Sequence, residues 1–366
     1  MGNLITFSQS SIIDQDCKEL NLEFNQKLSD KQLQSFCQKI CHLQKLNVLR
    51  LSFRNLSTNS QQKITKLLKE VATCPSLQQI EIAFDDESTI QQEIVQALNQ
   101  GLNHCQNINF LEINFYCCDF WRYDKENSSN DSNVKSLSGL LSSNSNKIQS
   151  IRFSLFWISN SGLLMVLSSL NQCSNINNLH LQIGKSVIFV DGIQSVSQSI
   201  SNLVNLKTLQ LQLHFKLTDE YIKHLCEGIQ KSKQLYKFSF TLPEKSQLTD
   251  NSIQFISEAI VQLPKLQLLS ISLIENNFGE QSIGQILGES ISKCQNLTYL
   301  FINLAINKIS QDDAEILCHE ISKSPQLNYL CIYFNKDKTS ERFNNQKKLR
   351  QISLKTKKLI YLSISI

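Results

Sequence analysis

One spacing recurs along the chain and leaves it few folds to adopt. The first apolar residues of its alternating apolar runs are Leu20, Leu49, Ile80, Leu111, Ile151, Leu179, Leu209, Phe238, Leu269, Leu300 and Leu330, separated by 29, 31, 31, 40, 28, 30, 29, 31, 31 and 30 residues. A period of this length marks a stacked repeat array, in which no unit buries its apolar face alone. Each unit has two halves. A run such as Leu209-x-Leu211-x-Leu213 has period two and predicts a short strand. The preceding half has helical spacing: Ile222, Leu225, Cys226 and Ile229 fall at i, i+3, i+4 and i+7. Ser29, Thr218, Thr249 and Ser310 stand where an N-cap is wanted, and Ser29 with Gln32 completes a capping box.

Strand, turn, helix, turn and strand at a fixed step predict an α/β array of parallel strands with right-handed crossovers. Bulky helices on one side and thin strands on the other predict a curved solenoid with the strands on the concave face and the helices on the convex face.

Four units open on a cysteine, at Cys74, Cys105, Cys173 and Cys294, in the frame Cys-x-x-h-x-x-h-x-h-x-h, where h is apolar. This frame, with a helix in every repeat, resembles the ribonuclease-inhibitor-like class of leucine-rich repeat proteins over residues 17 to 366. The resemblance implies a horseshoe. It also implies Asn or Cys three residues after the second strand leucine, to cap backbone groups of the turn. The matching positions run Arg54, Asp85, Tyr116, Phe156, Gly184, His214, Pro243, Ile274, Ala305 and Asn335, and only Asn335 fits. Longer strands and differently satisfied turns are therefore expected.

The chain is read as a single solenoid, 17 to 366, behind an N-terminal segment, 1 to 16. Two irregularities interrupt it. The 40-residue step carries an insertion, 116 to 133, with Phe120, Trp121 and Tyr123 ahead of a polar tract. The terminal repeat, 336 to 366, is irregular and basic: Lys336 to Lys358 holds nine basic and two acidic residues, against a balance of +4 for the whole chain. That overall balance does not mark a nucleic-acid binder.

The 12 cysteines suggest a disulfide framework only in a secreted chain. The start has neither a basic nor an apolar signal region, so a cytoplasmic protein with reduced thiols is expected. No catalytic residue, cofactor or metal site is read: nucleotide-binding, zinc-protease and hydrolase motifs are absent, and the six His lack ligand spacing. A small-molecule substrate is not expected.

The candidate site is the exposed strand face. Strand alternation places Arg50, Glu81, Glu112, Arg152 and His180 in one row of it, and Tyr299, Phe301, Asn303, Tyr329 and Tyr333 toward its C-terminal end. Aromatic residues and Arg are the usual anchors of protein interfaces. The expected function is a non-catalytic scaffold or adaptor that binds a protein partner on the concave face. The alternative is a regulator of a GTPase or other enzyme, since Ran GTPase-activating proteins resemble this repeat class. That alternative expects an acidic C-terminal tail, and here the tail is basic. Finally, Met1 to Thr6 matches the pattern for N-myristoylation of Gly2, which predicts weak, reversible association with a membrane.

Overall fold

A computed structural model describes residues 3–6, 16–24, 38–40, 42–54, 66–68, 70–71, 74–85, 92–104, 108–115, 129–156, 158–184, 187–246, 248–276, 278–279, 283–334 and 346–365. The chain divides into two compact units, Met1–Val187 and Ile188–Ile366. Both are α/β repeats of parallel strands alternating with helices.

The first unit holds strands β1 (Asn3–Thr6), β2 (Glu19–Phe24), β3 (Val48–Arg54), β4 (Gln79–Asp85), β5 (Phe110–Phe115), β6 (Ile148–Phe156) and β7 (Asn178–Gly184). Its helices are α1 (Gln92–His104), α2 (Ser129–Ser143) and α3 (Asn160–Leu170). The second unit runs α4 (Val190–Asn202), β8 (Thr208–His214), α5 (Asp219–Ile229), β9 (Lys237–Thr241), α6 (Asp250–Val261), β10 (Leu268–Ser272), α7 (Ile283–Ser292), β11 (Tyr299–Asn303), α8 (Gln311–Ile321), β12 (Tyr329–Tyr333), α9 (Gln346–Ser353) and β13 (Tyr361–Ser365). Inside each unit every strand pairs in parallel with the strand before and after it. The segment read as preceding the array contributes β1, which pairs Asn3 with Leu20 and Ile5 with Leu22.

Alternation decides burial. Leu209, Leu211 and Leu213 are fully buried, as are Ile222, Leu225 and Ile229 on the facing stripe of α5. The same positions of successive repeats stack, as where the rings of Phe53 and Phe84 lie 5.1 Å apart. The frame cysteines have a physical reason for their place. Cys74 Sγ donates to the Ile40 carbonyl, and Cys173 Sγ to those of Leu141 and Ser169. The thiol is small enough for the core and still satisfies a carbonyl that a helix end leaves over. Burial pushes the thiols of Cys173 and Cys294 up to about 12, so neither is a nucleophile near neutral pH.

The N-caps fall where the sequence places them. The side chains of Thr218, Thr249 and Ser310 accept from the amides of Tyr221, Asn251 and Asp313. Ser29 lies outside the described residues.

The turns correct the sequence reading. Capping asparagines do occur, two residues beyond the expected positions Ile274 and Ala305. Asn276 Oδ1 accepts from the amide of Ser246, and its Nδ2 donates to the carbonyls of Pro243 and Ile274. Asn307 Oδ1 accepts from the amides of Asn276 and Phe278, and its Nδ2 donates to the carbonyls of Leu273 and Leu304. The frame therefore counts from Ile271 and Leu273, or from Ile302 and Leu304, rather than from the first apolar strand residue. The residues just ahead, Lys245, Glu275 and Ile306, all take positive φ near 55°. This turns each chain out of its strand and aims the next side chain inward.

A second correction concerns register. Most strand pairings follow the predicted steps, but at β5–β6 the ladder slips. Leu111 pairs with Ile148 and Glu112 with Ser150, so Gln149 is an extra residue. From there the offset is two residues short of the 40 read from the sequence, and Ile113, not Leu111, faces Ile151. An even offset preserves the faces of the sheet, so the core pattern concealed it. The tract read as an aperiodic insertion also ends early: α2 begins at Ser129, within 116 to 133. Small polar Ser, Asn and Asp residues favour the start of a helix over its interior.

Candidate protein-interaction surface

The strand face of the first unit is an ion-paired cluster. Arg50 on β3 reaches to both sides. Its Nε donates to Glu81 Oε2 at 2.7 Å, and its Nη1 to Glu19 Oε2 at 3.2 Å and Asn21 Oδ1 at 3.3 Å. The other oxygen of Glu81 accepts from Gln79 Nε2 at 2.7 Å. Partial burial works against the Arg50 charge. Hydrogen bonds and attraction from Glu81 and then Glu19 outweigh it and hold the guanidinium pKa above its usual value. Glu112 lies beside Glu81 in register, and its Oε1 accepts from Asn114 Nδ2 at 3.0 Å.

The predicted charged row is not one row. Because of the slip at β5–β6, Glu112 meets Ser150, whereas Arg152 meets Asn114. Arg152 and His180 do pair with each other, as expected. Arg50, Glu81 and Glu112 thus stand together, and Arg152 with His180 begins a neighbouring row. Glu19 and Asn21 join the first group. They were detectable as the β2 residues 31 and 29 positions ahead of Arg50.

The second unit presents rings. Tyr299, Tyr329 and Tyr361 pair in register on β11, β12 and β13. Their rings form a continuous stack, with centroids 4.4 Å apart for Tyr299–Tyr329 and 4.3 Å for Tyr329–Tyr361. Beside the stack, Phe301 and Tyr333 meet diagonally at 5.6 Å. Cys331, which pairs in register with Phe301, is buried. Desolvation, followed by a hydrogen bond to Tyr361, pushes the Tyr329 phenol up to about 12. The Tyr329 ring is therefore neutral at physiological pH. Asn303 closes the row below and turns its Oδ1 back to the amide of Ala305 at 3.1 Å.

Next to Tyr299 the strand face sinks into a hollow of about 290 Å³, lined by Gln210, Lys237, Phe238, Ser239, Leu268, Leu269, Ser270 and Tyr299. Neither the hollow nor Tyr361 was singled out from sequence. For Tyr361 the signal was present: it precedes Leu362 as Tyr299 precedes Leu300 and Tyr329 precedes Leu330. The insertion aromatics Phe120, Trp121 and Tyr123, and Gly2, lie outside the described residues.

Among the described residues no group of three or more His, Cys, Asp or Glu is arranged to hold a metal. Also among them, no helix is long and apolar enough to cross a membrane.

No protein-family profile matches the chain, and no curated protein matches it. Among solved structures it is similar to a chain of the yeast Rad7 and Elc1 complex. That similarity covers 89% of this chain and 79% of the other, at 17% identity and a TM-score of 0.45.

Proposed function

We propose that this protein is a leucine-rich repeat protein of the ribonuclease-inhibitor-like kind, acting as a non-catalytic scaffold that binds a protein partner on its strand face. The family reading is supported by the one-helix repeat, the cysteine frame and the buried turn asparagines Asn276 and Asn307. The binding site is the ring surface of Tyr299, Phe301, Tyr329, Tyr333 and Tyr361 with the adjoining hollow. One observation carries this assignment: five aromatic side chains, four half-buried and Tyr361 exposed, stand on one strand face beside a concavity. Rings held in place by one another lose little entropy on binding, and an exposed aromatic patch is a liability without a partner. The residues of the Arg50 cluster satisfy one another and form a secondary contact area.

Affinity purification with mass spectrometry tests this, comparing wild type with Phe301→Ala/Tyr333→Ala. A specific partner should be retained by wild type and lost from the double variant at unchanged melting temperature. A partner that the double variant retains, yet loses when residues 120 to 132 are deleted, moves the site to the insertion.

A further inference from the structure

The helix-to-strand turns of the second unit form one edge of that unit, and charge is distributed on it in a single sign. The turns are laced in series. The amides of Tyr236 and Lys237 donate to the Lys207 carbonyl, those of Gln267 and Leu268 to Tyr236, those of Thr298 and Tyr299 to Gln267, those of Asn328 and Tyr329 to Thr298, and those of Ile360 and Tyr361 to Asn328. Side chains also bridge neighbouring turns: Lys233 Nζ donates to the Gln262 carbonyl, Lys265 Nζ to Gln234 Oε1 and Lys358 Nζ to Gln326 Oε1.

The segments 203–208, 230–237, 262–268, 293–299, 322–329 and 354–361 contain ten lysines and neither Asp nor Glu. All ten lysines are exposed. Four of the opposite turns, 214–219, 242–250, 273–282 and 304–313, carry three lysines against seven carboxylates. Aliphatic side chains protrude from the basic edge as well: Val204 is 66%, Leu354 64% and Ile360 86% exposed. The densest stretch, Leu354 to Tyr361, reads LKTKKLIY.

Compensation of helix dipoles accounts for Lys231 and Lys355, which follow helix C-termini, and Lys293 and Lys323 also pair with Glu289 and Glu320 of the preceding helices. It accounts neither for Lys207, Lys237, Lys357 and Lys358 nor for the aliphatic tips. We propose that this edge is a docking surface for an anionic lipid membrane. Three observations favour lipid over a macromolecule. The cations are all lysine, which reads charge density, whereas Arg reads the bidentate geometry of a defined phosphate or carboxylate. The most exposed apolar residues of the edge, Val204, Leu354 and Ile360, are aliphatic, so they suit insertion between headgroups, with lysine stems lying along the acyl boundary. Single-stranded nucleic acid would need several free aromatic faces in succession, and beyond the mutually stacked tyrosines the edge exposes one further ring, Tyr236. Six turns about 4.8 Å apart span roughly 24 Å, room for several headgroups. The edge adjoins the ring surface at Tyr299, Tyr329, Tyr361 and Lys237, but none of the residues substituted below belongs to that surface, so either assignment can fail without the other.

The test uses the full chain made without N-terminal acylation, sedimented with vesicles of phosphatidylcholine containing about a third phosphatidylserine. Binding is expected to these vesicles, not to pure phosphatidylcholine, and to weaken as salt rises from about 0.05 to about 0.3 M. Lys231→Glu/Lys355→Glu/Lys357→Glu should weaken it by roughly tenfold or more. The control Lys135→Glu/Lys216→Glu/Lys223→Glu makes the same change in net charge elsewhere and should weaken it less than about threefold. Leu354→Ser/Ile360→Ser should lower affinity severalfold even where salt has screened the charges. No sedimentation of wild type overturns the proposal, and so does an equal loss in the two triple variants. Capture of polyglutamate by the edge without vesicle binding also overturns it and makes the edge a dock for acidic protein.

Discussion

The two units have cores of the same kind and differ in what they show to solvent on the strand face. In the first, Arg50, Glu81, Glu19 and Asn21 satisfy one another. A partner binding there must break or bury ion pairs, which returns little net energy. In the second, rings are held by rings, and their outer edges remain to be covered. Scaffolding of one kind can therefore carry one surface whose charges are paired and another made of stacked rings, and the difference lies in the alternate strand residues that the core does not constrain.

Substitutions that ignore this difference should have the largest effects. Leu211→Asp puts an unpaired charge at a fully buried position and should cost about 4 kcal/mol or more, or unfold the second unit. Gln212→Asp, one residue on and facing outward, should stay within about 0.5 kcal/mol. Thermal melts of both check the register, and equal destabilisation would dismiss it. Asn307→Ala removes a side chain that serves two amides and two strand-end carbonyls, and should cost about 2–4 kcal/mol in denaturant titrations.

Next comes the surface itself. Tyr329→Ala removes the middle ring of the stack and should weaken a strand-face partner by about 1–3 kcal/mol in calorimetry. The mirror experiment is Arg50→Met, for which a change in stability below about 1 kcal/mol, erased by salt, is expected. A larger effect of Arg50→Met than of Tyr329→Ala on partner affinity would reverse the comparison. The smallest expected effect is none: Cys173 in one unit and Cys294 in the other should both resist alkylation near pH 8, because burial holds each thiol near 12. Modification of one alone, read by intact mass, would show that the two cores are not equivalent.

Period and face were legible in the sequence because burial acts on every repeat alike. Leu211 and Ile222 announce themselves through spacing, and the N-caps Thr218 and Ser310 through chemistry. The turns were less legible. Asn276 looks misplaced if one counts from Leu269, and only the positive φ of Glu275 shows why its side chain points inward. The slip at β5–β6 was invisible because an even offset leaves the apolar pattern intact. The tyrosine stack was half read: Tyr299 and Tyr329 were noticed singly, but their contact depends on register, which composition does not report. The basic edge escaped because its lysines are dispersed along the chain, and become neighbours only once the turns are laced together.

The extra residue Gln149 has a consequence beyond the sheet that contains it. A ladder of side chains is a lattice, and one unmatched site in a lattice is a dislocation. Across Gln149 the offset between β5 and β6 changes from 37 to 38 residues, so the pairing on its two sides is out of step by one position. A ligand that is itself periodic would keep step on one side of this fault and lose it on the other. The fault thus makes the position along the array distinguishable, something that identical repeats by themselves do not provide.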